Sequence, residues 1–438
     1  MPELLPFQHV GADFLASTPR ALLADGMRVG KTPQAIRACE KIGADRILVM
    51  CPAIARQNWL REFMRFGGYG GKVMLTKKDE PGPGLTVCSY DLTADKEVFK
   101  RLSRKWDAVI TDEAHFLKNH EAKRTLNALA MTAAGSYSWA LTATPAPNHA
   151  GEMWTLLRVH GITDLEYTQF VKKFCRVYDH PKFGPRIVGS KNILELKELI
   201  GKYMMRRTLA EVAPDMPPAR WSNIVVEPGE VDIAAHFYGW QQQPLELVAE
   251  ARRQEQRLID ALNDARDDLD RLQITGADIF RRLVGLQKVE PVAELVKSEQ
   301  DQMSHKLVIF GWHRDVLEWL CLLLKDYGAR VIDGRTHPDA REFYQKEFRE
   351  MPFYRVLLCQ ITAAGTAIDL STADDALFIE SDYSPGNNNQ AAHRIMSQFK
   401  RVPVRIRTVA IAGSVDERIE RLNVKKIQEL APIFGSYK

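Results

Sequence analysis

The stretch Ala21-Leu22-Leu23-Ala24-Asp25-Gly26-Met27-Arg28-Val29-Gly30-Lys31-Thr32 decides how the chain is read. Its apolar opening suits a buried strand that stops at Asp25. A short glycine-bearing loop follows, and Gly30-Lys31-Thr32 opens a helical pattern through Pro33, Ala35, Ile36 and Ala38. This is the outline of a phosphate-binding loop. Backbone N–H groups at a helix start hold polyphosphate oxygens, Lys31 supplies a mobile positive charge, and the Thr32 hydroxyl can ligate Mg²⁺. Gly26, Gly30, Lys31 and Thr32 are therefore candidate ATP-binding residues. The strict Gly-x4-Gly-Lys-Thr spacing fails because Asp25 stands at its first glycine, so an ordinary turn before a helix stays open at this point.

Working outward, 438 residues are enough for two or three domains, and 45% hydrophobic with 26% charged residues is the composition of an ordinary soluble enzyme. A net charge of +4 is too small to specify a polyanion partner, so any nucleic-acid surface must be local. The six cysteines, Cys39, Cys51, Cys88, Cys175, Cys321 and Cys359, form no Cys-x-x-Cys pair and sit mostly in apolar runs, which reads as reduced core thiols. The N-terminus lacks the basic and apolar regions of a signal peptide. The most apolar stretch, Val316 to Leu324, is too short to span a bilayer. A cytoplasmic or nucleoid-associated protein is expected, and the compact layout suits a prokaryotic or phage-encoded one.

Short apolar runs alternate with helical patterns at 47–51, 85–88, 108–110 and 139–141, the signature of a parallel sheet with crossover helices. A second set recurs at 307–310, 330–332, 356–359, 376–379 and 404–411. Between them lie a helical extension at about 150–210 with a loop-like 179–186, a Pro-rich break at 214–218, and a polar helical region. In that region Leu258, Leu262, Ala265, Leu269 and Leu272 form a seam that packs as a protrusion or dimerises. The expected fold class is α/β, with two lobes, parallel sheets with flanking helices, the first carrying the phosphate-binding loop. Lobe 1 is expected at 1–218, a helical insertion at 219–304 and lobe 2 at 305–438.

The strand at 108–110 runs into Asp112-Glu113-Ala114-His115. Two acids at the C-terminal end of a buried strand sit where open α/β sheets bind ligands; Asp112 would hold Mg²⁺ and Glu113 would position the attacking water. Capping of the next helix by the pair is the rival reading.

The order of Gln8, Gly30-Lys31-Thr32, Cys51-Pro52 through Gln57 and Trp59, Asp112-Glu-Ala-His115 and Leu141-Thr-Ala-Thr-Pro-Ala-Pro-Asn148 resembles superfamily 2 helicases, and more narrowly the Swi/Snf-type DNA translocases. That family's loop reads Asp-Glu-Met-Gly-Leu-Gly-Lys-Thr. This accounts for Asp25 and leaves Gly26 and Arg28 as departures, Arg28 in place of a glycine that could alter the loop backbone. The resemblance continues through Met204-Met205-Arg206-Arg207, Lys306 to Phe310, Ile361-Thr-Ala-Ala-Gly365 to Asp369, Asp382-Tyr-Ser-Pro385, Gln390-Ala-Ala-His-Arg394 and the stretch Gly413 to Ile419. The Ile-Thr-Ala-Ala-Gly form is similar to the annealing-helicase branch. By resemblance the two lobes are RecA-like P-loop lobes, Gln8, Gly365 and Asp369 join the nucleotide site, and Gln390 and Arg394 reach its phosphates. The family expects a second arginine three residues after Arg394, where Ser397 stands. Arg394 acting alone, Arg401 or Lys400 replacing it, and a slow or inactive variant are the three readings.

Lys31 and Arg394 lie in different α/β halves, so they can share one phosphate only across an interlobe cleft. A motor that tracks DNA needs phosphate-neutralising groups spread over both lobes. Candidates are Arg56, Gln57, Trp59, Lys118, Asn119, Lys123, Arg124 and Arg335, although each singly suits a solvated surface and Trp59 equally suits a core. The expected function is DNA-dependent ATP hydrolysis, with ATP and Mg²⁺ as cofactors, driving translocation on duplex or forked DNA by a monomeric motor that takes specificity from a protein partner. No membrane is involved and no accessory domain is expected after the last motif. The rivals are a strand-separating DNA or RNA helicase and a nucleotide-gated DNA-binding protein with vestigial hydrolysis.

Overall fold

The computed structural model describes residues 2–67, 70–146, 148–180, 184–231, 277–364, 368–412, 414, 416, 417 and 419. The chain forms two compact units, with the boundary between Pro214 and Asp215. The expected seam at 258–272, Gly365 and most of the stretch from Gly413 to Ile419 lie outside the described residues or only partly within them.

In the first unit the strands are β1 (Arg20–Leu23), β2 (Ile47–Cys51), β3 (Gly71–Val73), β4 (Leu85–Ser89), β5 (Ala108–Asp112), β6 (Tyr137–Leu141), β7 (Cys175–His180), β8 (Gly184–Ser190) and β9 (Met204–Met205). Seven of them make one parallel sheet in the order β3-β4-β2-β5-β6-β1-β9. Side chains alternate across a pleated strand, and both faces here are apolar. Leu23, Val49, Val87, Ile110 and Trp139 join the core on one face, whereas Leu22, Leu48, Met50, Val109 and Ala140 join the core on the other. Two-sided burial explains why these strands read as unbroken apolar runs.

Three segments differ from expectation. The loop-like stretch at 179–186 is part of an antiparallel hairpin of β7 and β8, with Tyr178 opposite Arg186. Its strands are polar because few of their side chains reach a core, which hides them from a hydrophobicity pattern. β9 is only two residues long, yet Met204 and Met205 pair with Leu22 and Leu23 and close the sheet.

The third difference falls in the second unit, made of β10 (Arg220–Val226), β11 (Leu307–Gly311), β12 (Arg330–Ile332), β13 (Val356–Gln360), β14 (Asp375–Phe378) and β15 (Arg405–Ile411). Its parallel order is β10-β15-β14-β11-β13-β12. The region expected as a helical insertion at 219–304 begins with β10, paired along its whole length with β15. Its described end, helices Ala277–Gln287 and Val289–Gln302, packs Leu286, Val292 and Val296 into this unit's core. β10 is an edge strand and mostly exposed, so it lacks the apolar signature of its neighbours.

All six cysteines are free thiols; five are buried and Cys321 is half-buried. Among the described residues no helix is long and apolar enough to cross a membrane.

Candidate functional site

In the first unit, β6 lies between β1 and β5. The loop after β1 and the acids at the end of β5 therefore stand at the same, C-terminal edge of the sheet, where open α/β sheets place ligands. The expected helix is present as Lys31–Lys41, opened by Gly30 at φ 84°. A Cβ at Gly30 would lie 2.3 Å from Gln8 Nε2, so both the backbone and the close approach require glycine. Gln8 is buried, and its Nε2 donates to Val29 O at 3.2 Å, which ties the first helix of the chain to the loop.

Arg28 stands inside the loop, between Met27 and Val29. Arg28 itself takes the left-handed conformation, φ 64°. The chain therefore keeps a glycine-like turn on a side chain that ordinarily avoids it.

Lys31 Nζ donates to Asp25 O at 2.9 Å and Gly26 O at 3.2 Å. Burial lowers its pKa, against the pull of the Glu113, Asp25 and Asp112 carboxylates. Opposite it, burial and the neighbouring Glu113 charge push Asp112 up to about 6. Asp112 Oδ2 accepts from Trp59 Nε1 at 2.7 Å, and its carbonyl accepts from Tyr90 Oη at 2.6 Å. Glu113 occupies left-handed backbone, φ 49°, and its side chain makes no helix cap, so the capping rival has no support. A half-buried ammonium, a threonine at a helix start and two crowded acids form a donor set that fits a Mg²⁺–polyphosphate group.

The two remaining motifs of this edge are bonded to one another. His115 Nδ1 lies 3.0 Å from Thr142 Oγ1, and burial pulls His115 down to about 4, leaving it neutral at pH 7. Lys118 Nζ and Asn148 Nδ2 both donate to Glu152 Oε1, at 3.0 and 2.9 Å, and Asn148 N donates to Glu152 Oε2 at 2.7 Å. Glu152 thus joins the loop after Asp112 to the loop after β6.

Asp25 is fully buried. Its Oδ1 accepts from Arg207 N at 2.9 Å and from Arg207 Nε at 3.1 Å, and its Oδ2 accepts from Arg207 Nη2 and from Gln34 Nε2. Gln34 and Arg207 were not among the expected site residues. A polar glutamine on the apolar face of the helix Lys31–Lys41 was the available signal for the first, and the doubled arginine 206–207 for the second.

The nucleic-acid candidates separate. Trp59 is not a surface contact: it is 1% exposed and holds Asp112. Its aromatic ring fills the core under the helix Arg56–Gly67, which burial of its area favours. Arg56 is bound to the carbonyls of Ala53, Met74 and Leu75. Lys118 is paired with Glu152 and Arg124 with Asp91. Gln57, Asn119, Lys123 and Arg335 are exposed.

In the second unit, Asp382 orders the start of the helix Pro385–Ala392 by accepting from Ser384 N and Asn387 Nδ2, while its own N–H donates to Asn388 Oδ1. Gln390 is buried in that helix and Arg394 follows it, half-buried. Asp369 is exposed and accepts from Ser371 N. Ser397 Oγ accepts from Phe399 N at 3.3 Å. Lys400 is tied to Ala373 O and Asp374, which removes it as a free replacement for the second arginine, whereas Arg401 is exposed.

Comparison with known proteins agrees with this layout. The SNF2-related domain family matches residues 7–268 and the helicase conserved C-terminal domain matches residues 287–397. The chain is 27% identical over 439 residues to a Xenopus tropicalis SWI/SNF-related matrix-associated actin-dependent regulator of chromatin subfamily A-like protein 1, covering 98% of this chain and 44% of that protein. It is 27% identical over 420 residues to the mouse DNA annealing helicase and endonuclease ZRANB3, covering 90% and 37%. A solved Sulfolobus solfataricus SWI2/SNF2 ATPase core in complex with dsDNA aligns over 100% of this chain and 94% of that one, at 19% identity and a TM-score of 0.44. The chain spans less than half the length of these two curated relatives. With two parallel α/β units, the motif order intact and the family matched over more than half its length, the chain belongs to the SNF2-related, helicase-like proteins.

Proposed function

We propose that the protein is a DNA-dependent ATPase that converts Mg-ATP hydrolysis into movement on duplex DNA, with remodelling or reannealing of strands as its output. The observation that carries this reading is that Lys31 and the acids Asp112 and Glu113, all half-buried, stand at one sheet edge close enough to act on one another's charge. Such a pair of crowded acids facing a desolvated ammonium is suited to a bound divalent cation and a polyphosphate, which bring the missing charges of both signs. Mg²⁺ held by Thr32 and Asp112 would neutralise charge on the transferred phosphoryl group. Lys31 would bind the phosphates, Glu113 would orient the attacking water and take its proton, and Gln8 would fix the nucleotide end of the loop. Gln390 and Arg394 of the second unit are proposed to act on the same phosphates during turnover. DNA would be held through its phosphates by exposed groups including Gln57, Asn119, Lys123 and Arg335, so binding would weaken steeply with salt.

The test separates binding from chemistry. Glu113→Gln should leave Mg-ATP affinity within a few-fold and reduce turnover by about 100-fold or more, the usual range for a lost general base. A variant that turns over at the parent rate would remove Glu113 from the reaction. The rival with vestigial hydrolysis has one feature in its favour, Ser397 at an expected arginine, and it predicts that the parent is already as slow as Glu113→Gln.

A further inference from the structure

The segment 204–207 opens with β9 (Met204–Met205), the last strand of the first unit, and the chain leaves that unit seven residues after Arg207, at Pro214. Arg207 is bonded to both ends of the phosphate loop. At the start, Gly26 N donates to Arg207 O at 2.7 Å, and Asp25 is gripped by the Arg207 backbone and guanidinium together. At the far end, Arg207 Nη2 donates to Gln34 Oε1 at 2.8 Å, and Gln34 Nε2 donates to Gly30 O at 3.1 Å. A third arm donates to Phe7 O, next to Gln8. Arg206 adds Ala24 O at 2.7 Å and Ala143 O at 3.0 Å, joining β1 to the loop after β6.

The network is closed against substitution. Asp25 and Gln34 are both fully buried. Gly11, in the helix Pro6–Ser17, leaves room for Gln34 and Arg207, since a Cβ there would stand 1.7 Å from Gln34 Oε1 and 2.8 Å from Arg207 Nη2. A guanidinium serves here because only a planar fork with several donors can satisfy a carboxylate, an amide oxygen and a carbonyl at once.

We propose that Arg207 is a positioning residue that sets the conformation of the phosphate loop and couples it, through Asp25 and Gln34, to the chain leaving the first unit. The proposal rests on the reading that the loop binds nucleotide. When phosphate draws Lys31 and the loop amides toward itself, Gly26 and Gly30 shift. The rigid Asp25–Arg207–Gln34 triad then carries that shift to residues 208–214. Nucleotide state is thereby written into the outgoing segment by hydrogen bonds within a single unit.

Hydrogen exchange of the full chain with and without Mg-ADP tests this. In the parent, Mg-ADP should slow exchange in 25–34 and also in 204–214. In Arg207→Lys, protection in 25–34 should persist at saturating Mg-ADP while the response in 204–214 is lost. The Kd for Mg-ADP should rise about tenfold, and turnover at saturation should change less, by about threefold. Gly11→Ala, which displaces Gln34 and Arg207 without altering any charge, should lose the same response and covers the case in which Arg207→Lys fails to fold. Protection of 25–34 without any change in 204–214 of the parent would overturn the coupling, as would a normal response in both variants with only a lowered Tm. Absence of protection in 25–34 of the parent would instead overturn nucleotide binding by the loop, and the coupling with it.

Discussion

Arg28 shows how one residue can break a local rule and leave the surrounding geometry in place. An L-residue at φ 64° costs about 1–2 kcal/mol relative to its ordinary conformations, and glycine largely escapes that cost. Arg28→Gly should therefore exceed Arg28→Ala in stability by about 1 kcal/mol in chemical denaturation, because both lose the guanidinium and differ only in backbone freedom. Two buried histidines predict an acid response. Burial holds His160 down at about 3, with Arg20 adding to the effect, and His115 at about 4. Both are neutral in the folded chain. As pH falls below 6.5 the unfolded chain takes up protons that the folded one refuses, so stability is fully present above 6.5 and is lost toward pH 4. Each contributes a slope approaching 1.4 kcal/mol per pH unit. Asp112, raised to about 6, acts in the opposite direction over part of this range, so the comparison is His160→Gln against the parent, whose unfolding free energy should fall more steeply between pH 6 and 4. Ser397→Arg should raise DNA-stimulated hydrolysis by about tenfold or more if a finger is missing, since supplying one in related hydrolases has a large effect; an unchanged rate assigns that role to Arg394 or another group already present.

At the scale of elements, the edge of the first sheet works as one unit because side chains cross between loops. Glu152 is the clearest instance: Lys118 holds its carboxylate below the usual range despite burial, and Asn148 supplies two more donors. Glu152→Ala should cost about 2–3 kcal/mol by stranding those donors, whereas Lys118→Ala, on a side chain 43% exposed, should cost less than about 1 kcal/mol. Urea denaturation of both variants checks the ratio. Strands buried on both faces, such as 47–51 and 307–311, were legible because two-sided burial demands an unbroken apolar run. β10 and the β7–β8 hairpin were not, because an edge strand or an exposed ribbon carries no such demand. The candidate residues that the fold brings to one sheet edge, Lys31, Thr32, Asp112 and Glu113, could be read from spacing and order. The doubled arginine 206–207 stood out in the sequence, but the partner of Arg207 could not be read, since Asp25 lies 182 positions away and only the pairing of β9 with β1 brings them together. Trp59 was ambiguous for a similar reason: helix periodicity does not say which apolar residue also carries a hydrogen bond to a distant acid.

At the scale of the whole molecule, two parallel α/β units carry the motif set of the SNF2-related proteins on one chain. The chain spans less than half the length of the Xenopus and mouse relatives described above. We propose that this chain turns over ATP in response to duplex DNA. The most direct test is steady-state ATP hydrolysis without nucleic acid and with duplex DNA, single-stranded DNA and RNA, for the parent and for Lys31→Ala. On this proposal the rate should be stimulated most by duplex DNA, by about tenfold or more, and abolished by Lys31→Ala under every condition. A flat rate, independent of nucleic acid and equal to that of Lys31→Ala, would contradict it.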